Sequence, residues 1–193
     1  TLFRSEIKQQ SLTALPVPEW KLTLEIGLNQ LSLIPKIIAL YALGLALLLL
    51  AATRRFAPPV IGVALFLHAL LILSRIILLG RPPVSTLYES ILFVGLIAAA
   101  YGYWLYQRRQ LLEAMAIGAF LGGGLLAVSG IYAGQGDNMG MLIAVLNTNF
   151  WLATHVVCIT LGYATTLVAG SMAHLALLPK YHASRFSRML PFV

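Results

Sequence analysis

The chain has 193 residues, of which 60% are hydrophobic and 10% are charged, and its formal net charge is +7. This composition excludes a soluble domain and indicates an all-α, polytopic integral membrane protein. The alternating segments of about ten residues that mark outer-membrane barrels are absent from residue 34 onward. Basic residues lie in short clusters between apolar runs, a pattern typical of membrane topology rather than of nucleic-acid binding.

The N-terminal segment, residues 1–33, is interpreted as an extracytoplasmic juxtamembrane segment. Its opening `TLFRS`, residues 1–5, matches what one reading frame of a common sequencing adapter would encode. We hypothesise that these residues are a sequencing scar and that the chain is a fragment of a longer protein. In `EWKLTLEIGLNQL`, alternating apolar residues suit a strand, whereas Pro18 and Glu19 suit a helix start. We favour a short amphipathic helix on the outer membrane surface.

About five transmembrane helices are predicted in residues 34–193, each with roughly the 20 residues that a bilayer core requires. They are predicted over residues 34–52, 60–79, 87–106, 111–132 and 150–178. The glycines of `GAFLGGGLL`, in the fourth helix, favour close helix packing over phosphate binding.

The basic residues also predict the orientation of these helices. One set of connections carries the arginine pairs and the C-terminal cluster: Arg54, Arg55, Arg108, Arg109, Lys180, Arg185 and Arg188. The opposite connections carry Arg81, Glu89 and Asp137. Because cytoplasmic loops are enriched in arginine and lysine, the arginine pairs are predicted to be cytoplasmic and Asp137 to be outside.

The loop `GRPPVSTLYES` is predicted to end in a helix N-cap. Pro82 and Pro83 disfavour a helix, and Thr86 with Glu89 three residues later fits the capping box. The structural interpretation is a well-capped helix at the outer interface. The functional alternative is that Arg81 and Glu89 line an outer pocket.

The stretch `NTNFWLATHVVCITLGY` places His155 at the head of the fifth helix. Counting 20 residues back from Leu178 reaches Ile159, so His155 is expected at or just beyond the outer interface. Trp151 lies one turn earlier on the same face, where interfacial tryptophans are common. His155 is either a structural histidine bonded to a nearby carbonyl or a ligand to a metal or haem. Cys158 is expected to pack rather than to bind a metal.

His68 lies near the middle of the second helix, and an ionisable residue at that depth is a candidate functional residue. Arg75 lies two turns further along the same face. It either extends to the outer interface or meets the carboxylate of a bound ligand. His174, near the inner end of the fifth helix, and His182 are expected to be structural.

Two stretches resemble the Ccs-type, or ResC-type, cytochrome c biogenesis family of system II. `FLHALLILSRIILLGRPPVSTLYESILF` resembles the family's histidine-containing helix and `PLSNLYES` loop, with Thr86 where the family often has Asn. `NTNFWLATHVVCITLGYATTLVAG` resembles its `WLxxHVxxxxxxYA` helix. Together the matches cover residues 61–170 in the family's order and spacing, and residues 34–193 would be the N-terminal part of its transmembrane domain.

The resemblance implies delivery of haem b to the outer face of a bacterial cytoplasmic membrane. A ResB-type partner or fused domain would assist, and haem would be attached covalently to the `CxxCH` motif of apocytochrome c by a haem lyase activity of the full assembly. The family's outer haem iron is held by two histidines, of which the first maps onto His155. Trp151, Arg75 and His68 are further candidates for haem contact.

The family's tryptophan-rich haem loop and second outer histidine are absent from these 193 residues. Two other functions therefore stay open at this point. One is a bis-histidine electron carrier, which needs a histidine pair at matching depth, whereas His68 and His155 are expected at different depths. The other is a transporter or scaffold without haem.

Overall fold

The computed structural model describes residues 32–79, 86–133 and 149–177. Those ranges hold α-helices and one 3-10 turn but no strand, which confirms the predicted all-α class. Several predictions lie outside the described residues. They concern the N-terminal segment, the loop that holds Arg81 and its prolines, Asp137, and the basic cluster after residue 177.

Five helices are observed in the described ranges. They are α1 (Leu33–Leu49), α2 (Ala57–Leu79), α3 (Leu87–Arg109), α4 (Leu112–Ala133) and α5 (Asn149–Leu177), with a 3-10 turn over Arg54–Phe56 before α2. The last four include stretches long and apolar enough to cross a membrane. Helix α1 has 17 residues, or about 25 Å, which is at the short end of the range for a spanning helix.

All helix ends agree with the predicted bounds to within three residues. Helix α2 was predicted from about residue 60, with its start around Pro58 and Pro59, and it begins at Ala57. Pro58 and Pro59 therefore lie in its first turn. Proline is tolerated there because the first N–H groups of a helix have no partner within the helix.

Helices α3 and α4 form the most closely packed pair, an antiparallel hairpin in which backbones meet at glycine. A Cβ atom at Gly118 would lie 2.8 Å from the Ala98 carbonyl oxygen and 3.1 Å from the Gly102 Cα atom. A Cβ atom at Gly102 would collide with the Ala114 carbonyl oxygen. Small residues permit this approach in membranes, where packing drives helix association.

Helix α1 packs on α4 and α2 through Tyr41, which is fully buried. Cβ atoms placed at Gly122 and Gly123 would lie 3.4 Å and 3.1 Å from Tyr41 side-chain atoms. The prediction that the glycine run serves helix packing is confirmed for Gly118, Gly122 and Gly123. Gly124 points to open space, with nothing within 4 Å.

Helix α5 packs less extensively than the others. Its Ala164 and Val168 join a buried cluster with Ala98, Leu105 and Ala114 of α3 and α4. Because successive spanning helices alternate in direction, α5 runs parallel to α3, and both begin at the same end of the bundle. The first turns of α3 and α5 therefore define one end, which holds most of the candidate site residues.

Candidate functional site

His155 lies on the second turn of α5, at the start of the apolar stretch Thr154–Leu177. Its side chain is exposed and makes no hydrogen bond or ion pair with the residues that the structure describes. Trp151, one turn earlier, is 62% exposed. If His155 were a structural histidine, it would be bonded to a nearby carbonyl. The described part of the chain shows no such bond.

The depth of His155 can be related to α3. Ala98 and Ala164 belong to one buried cluster, and α3 and α5 run in parallel. Glu89 lies nine residues before Ala98 and His155 nine residues before Ala164, or about 13 Å of helix in each case. Glu89 and His155 therefore both lie toward the end of the bundle at which α3 and α5 begin.

At Glu89 a capped helix start meets a buried ion pair. The Glu89 backbone N–H donates to Thr86 Oγ1 at 3.2 Å, which confirms the predicted N-cap. The Glu89 carboxylate, only 1% exposed, lies 3.8 Å from Nη2 of Arg75. The Arg75 guanidinium carbon also lies 4.8 Å above the centre of the Tyr88 ring. A carboxylate of the protein thus faces Arg75, where the sequence suggested solvent or a ligand.

His68 occupies a different environment, between α1, α2 and α3. It is fully buried, and its Nδ1 lies 3.4 Å from the hydroxyl of Tyr41 with the two rings edge to face. Nε2 makes no hydrogen bond of good geometry within the described residues. The backbone of Leu92 lies close to the imidazole ring. A Cβ atom at Gly95 would lie 3.5 Å from His68 Cε1, so the ring fits closely against α3.

The structure does not bring the two histidines together. His68 is enclosed by α1 to α3, and His155 faces outward from α5. In the described ranges no group of three or more His, Cys, Asp or Glu residues is placed to hold a metal ion. His174 is bonded to its own helix, with Nδ1 2.7 Å from the Gly170 carbonyl oxygen. Cys158 is exposed, so the prediction that it packs was wrong.

Two contacts, Arg75–Glu89 and Tyr41–His68, were not predicted from the sequence. The first of them could have been predicted from the spacing of its residues. Arg75 lies four residues before the end of α2 and Glu89 two residues after the start of α3. In an antiparallel pair, residues at similar distances from the connection face each other, which identifies Arg75 and Glu89 as partners. Tyr41 lies eight residues before the end of α1 and His68 eleven residues after the start of α2. These distances from the connection differ by almost one helical turn, so the same rule does not pair the two residues directly.

Comparison with known proteins gives two relatives. The chain is 30% identical to Protein NrfI of Wolinella succinogenes over 172 residues, or 82% of this chain. It is 32% identical to the cytochrome c biogenesis protein CcsA of Lemna minor over 112 residues, or 56% of this chain. The chain is a relative of the Ccs-type cytochrome c biogenesis proteins. The family resemblance predicted from the two motifs is thus confirmed.

This Ccs-type chain covers a limited part of each relative: 19% of the length of NrfI and 34% of the length of CcsA. No model of a protein family matches it, and neither does any solved structure. The family is therefore supported by the relatives and by the two motifs. The roles of individual residues depend on the geometry described above.

Proposed function

We propose that the chain acts in cytochrome c biogenesis by handling haem at one membrane face, where haem b is the cargo passed on to apocytochrome c. Similarity to the cytochrome c biogenesis protein CcsA supports the general process, and the apolar helices suit a protein embedded in a bilayer. A ResB-type protein or fused domain completes the assembly. Covalent attachment to `CxxCH` motifs takes place in that assembly, so the chain alone is not assigned a catalytic activity.

The observation that supports this proposal most strongly is the exposure of the His155 side chain. Within the described residues it is an exposed imidazole without a partner, beside an apolar stretch and one turn from the exposed Trp151. A neutral imidazole is a common axial ligand to haem iron, and an indole one turn away provides an apolar surface for a porphyrin edge. One histidine suits one axial position, so the second ligand comes from outside the described residues.

The arrangement of charges supports an orientation for the site. Arg54 and Arg55 lie at the connection of α1 and α2, and Arg108 at the end of α3, which is the end of the bundle opposite to His155. The positive-inside rule then puts His155 on the extracytoplasmic side of a bacterial cytoplasmic membrane. Haem bound there would meet apocytochrome c outside the cell's reducing interior.

The other candidate residues have different roles in this proposal. Arg75 pairs with Glu89 of α3, near the end of the bundle at which α3 and α5 begin. His68 remains a candidate for haem contact, but its burial against Tyr41 and Gly95 favours a role in holding α1, α2 and α3 together.

Haem titration of the purified chain in lipid nanodiscs tests the proposal. We expect a Soret band from bound haem, and we expect His155→Ala to weaken binding by about tenfold or more through loss of the axial ligand. His174→Ala is the matched control, because His174 lies on the same helix and bonds to its own backbone. Equal binding by both variants would remove His155 from the haem site.

A further inference from the structure

Within the described residues, only part of the hydrogen-bonding capacity of the Arg75 guanidinium is used. Its Nη2 lies 3.8 Å from the Glu89 carboxylate, which is an ionic contact but longer than a hydrogen bond. Its Nε is buried and has no hydrogen-bond partner in the described ranges. The side chain is nevertheless 31% exposed. A guanidinium has five N–H donors, so several of them are available to a second oxyanion that approaches from the exposed side.

The surroundings hold this guanidinium in place. The Tyr88 ring lies against one face, 4.8 Å from the guanidinium carbon, in a cation–π contact. The Glu89 carboxylate is fixed by burial and by the capped start of α3. A planar fork held in this way suits a carboxylate, which it can bind with two parallel hydrogen bonds.

The position of Arg75 suits the same ligand as His155. Its partner Glu89 lies in the first turn of α3 and His155 in the second turn of α5, so both are near the end of the bundle at which these two helices begin. Helices α2 and α5 both pack on α3. The axes of packed helices lie about 8–10 Å apart. The axes of α2 and α5 are therefore no more than roughly 20 Å apart. A porphyrin is a wide planar molecule with its carboxylates on one edge, away from the metal at its centre.

We propose that Arg75, held by Glu89 and Tyr88, binds a carboxylate of the porphyrin whose iron is held by His155. This inference rests on the proposed function, because that function supplies the porphyrin. Arg75 sets the orientation of the ring at this end of the bundle, with its carboxylate edge toward α2 and its metal toward α5.

The test compares metal-free protoporphyrin IX, which keeps its two carboxylates, with its dimethyl ester, which has none. Both are titrated by fluorescence into the full chain in phosphatidylcholine nanodiscs. We expect Arg75→Gln to weaken binding of the acid by about tenfold, the value of a hydrogen bond to a charged group, and to leave the ester unchanged. Arg75→Lys should give an intermediate loss, because lysine keeps the charge but not the fork.

Glu89→Gln separates a binding role from a purely structural ion pair. The amide oxygen of glutamine can still accept from Arg75 and hold it in place, but the competing negative charge is gone, so the preference for acid over ester should increase. The melting temperature of each variant confirms that it is folded. An equal loss of acid and ester in Arg75→Gln would assign Arg75 to packing or lipid contact and overturn the proposal, as would the absence of porphyrin binding by the unsubstituted chain.

The failure of His155 as a ligand would look different. His155→Ala should alter the absorption spectrum of the iron complex, because it removes the imidazole proposed to hold the iron. If that spectrum does not change, the assignment of His155 fails, while the ratio of acid to ester binding still decides the role of Arg75.

Discussion

The regions around His68 and His155 differ in almost every physical respect. His68 is fully buried, contacts Tyr41 and lies close to the α3 backbone at Gly95. His155 is exposed and has no partner among the described residues. A buried polar group must be satisfied within the protein or it lowers stability. His68 is therefore expected to contribute mainly to folding, and His155 mainly to function.

The glycines of the two regions show the same difference. Gly102 and Gly118 of the α3–α4 hairpin lie against the backbone of the opposite helix, whereas a Cβ atom at Gly162 or Gly170 of α5 would have nothing within 4 Å. Packing has thus determined which residues are allowed in the hairpin, and it places much less restriction on the face of α5 that carries His155.

The largest difference in stability between the two regions is expected from a pair of glycine substitutions, one in the hairpin and one in α5. Gly102→Leu should prevent the α3–α4 hairpin from closing and cost at least about 3 kcal/mol, because the new side chain collides with the backbone at Ala114. Gly162→Leu, at an open position, should change stability by less than about 1 kcal/mol, and leucine's higher helix propensity acts in its favour. Thermal melting of both variants in one detergent measures the difference. Comparable losses would mean that α5 is packed on a face that these helices leave open.

A smaller effect is expected when the polar contact of His68 is removed. Tyr41→Phe or His68→Phe should each cost about 1–2 kcal/mol, because each leaves one buried polar group without its partner. The double variant should cost less than the two single losses combined, since neither side chain then needs a hydrogen bond. His155→Phe is the control and should melt within about 0.5 kcal/mol of the original chain. Strictly additive losses would show that Tyr41 and His68 do not interact.

The smallest effect is expected at the cap of α3. Thr86→Ala removes the acceptor of the 3.2 Å bond from the Glu89 backbone N–H and should cost about 1 kcal/mol. Thr165→Ala, whose hydroxyl bonds to carbonyls within its own exposed helix face, should change stability by a few tenths of a kcal/mol. The difference between their melting temperatures is the measurement. A loss of haem binding in Thr86→Ala without a loss of stability would favour the pocket interpretation of this loop.

Local patterns predicted much of the fold. The apolar runs, the Thr86 cap and the glycines of α4 are each read within one helix or at its end, and the structure agrees with all three. The 29 residues predicted for the last helix are also the 29 observed for α5, with a shift of one residue. Such features depend on neighbours in sequence, so they can be recognised before any tertiary contact is known.

Contacts between helices were harder to predict. His68 was expected near the midplane, but its partner Tyr41 lies 27 residues away, on a face that only packing selects. Arg75 was assigned to solvent or to a ligand, because composition alone does not show that Glu89 faces it. For His155 the sequence predicted an outer position and an iron ligand. In the structure, no described residue forms a hydrogen bond or ion pair with the His155 imidazole. Its role as an iron ligand stays a prediction.

The most direct test of the central claim, that His155 is the ligand through which this chain handles haem, is chemical rescue in cells that assemble cytochrome c. The gene encoding the chain is altered to carry His155→Gly, and mature cytochrome c is measured by haem staining with and without added imidazole. We expect the variant to accumulate in the membrane but fail to mature cytochrome c, and we expect imidazole to restore part of the signal by taking the vacated coordination position. Normal maturation by His155→Gly without imidazole would contradict the claim.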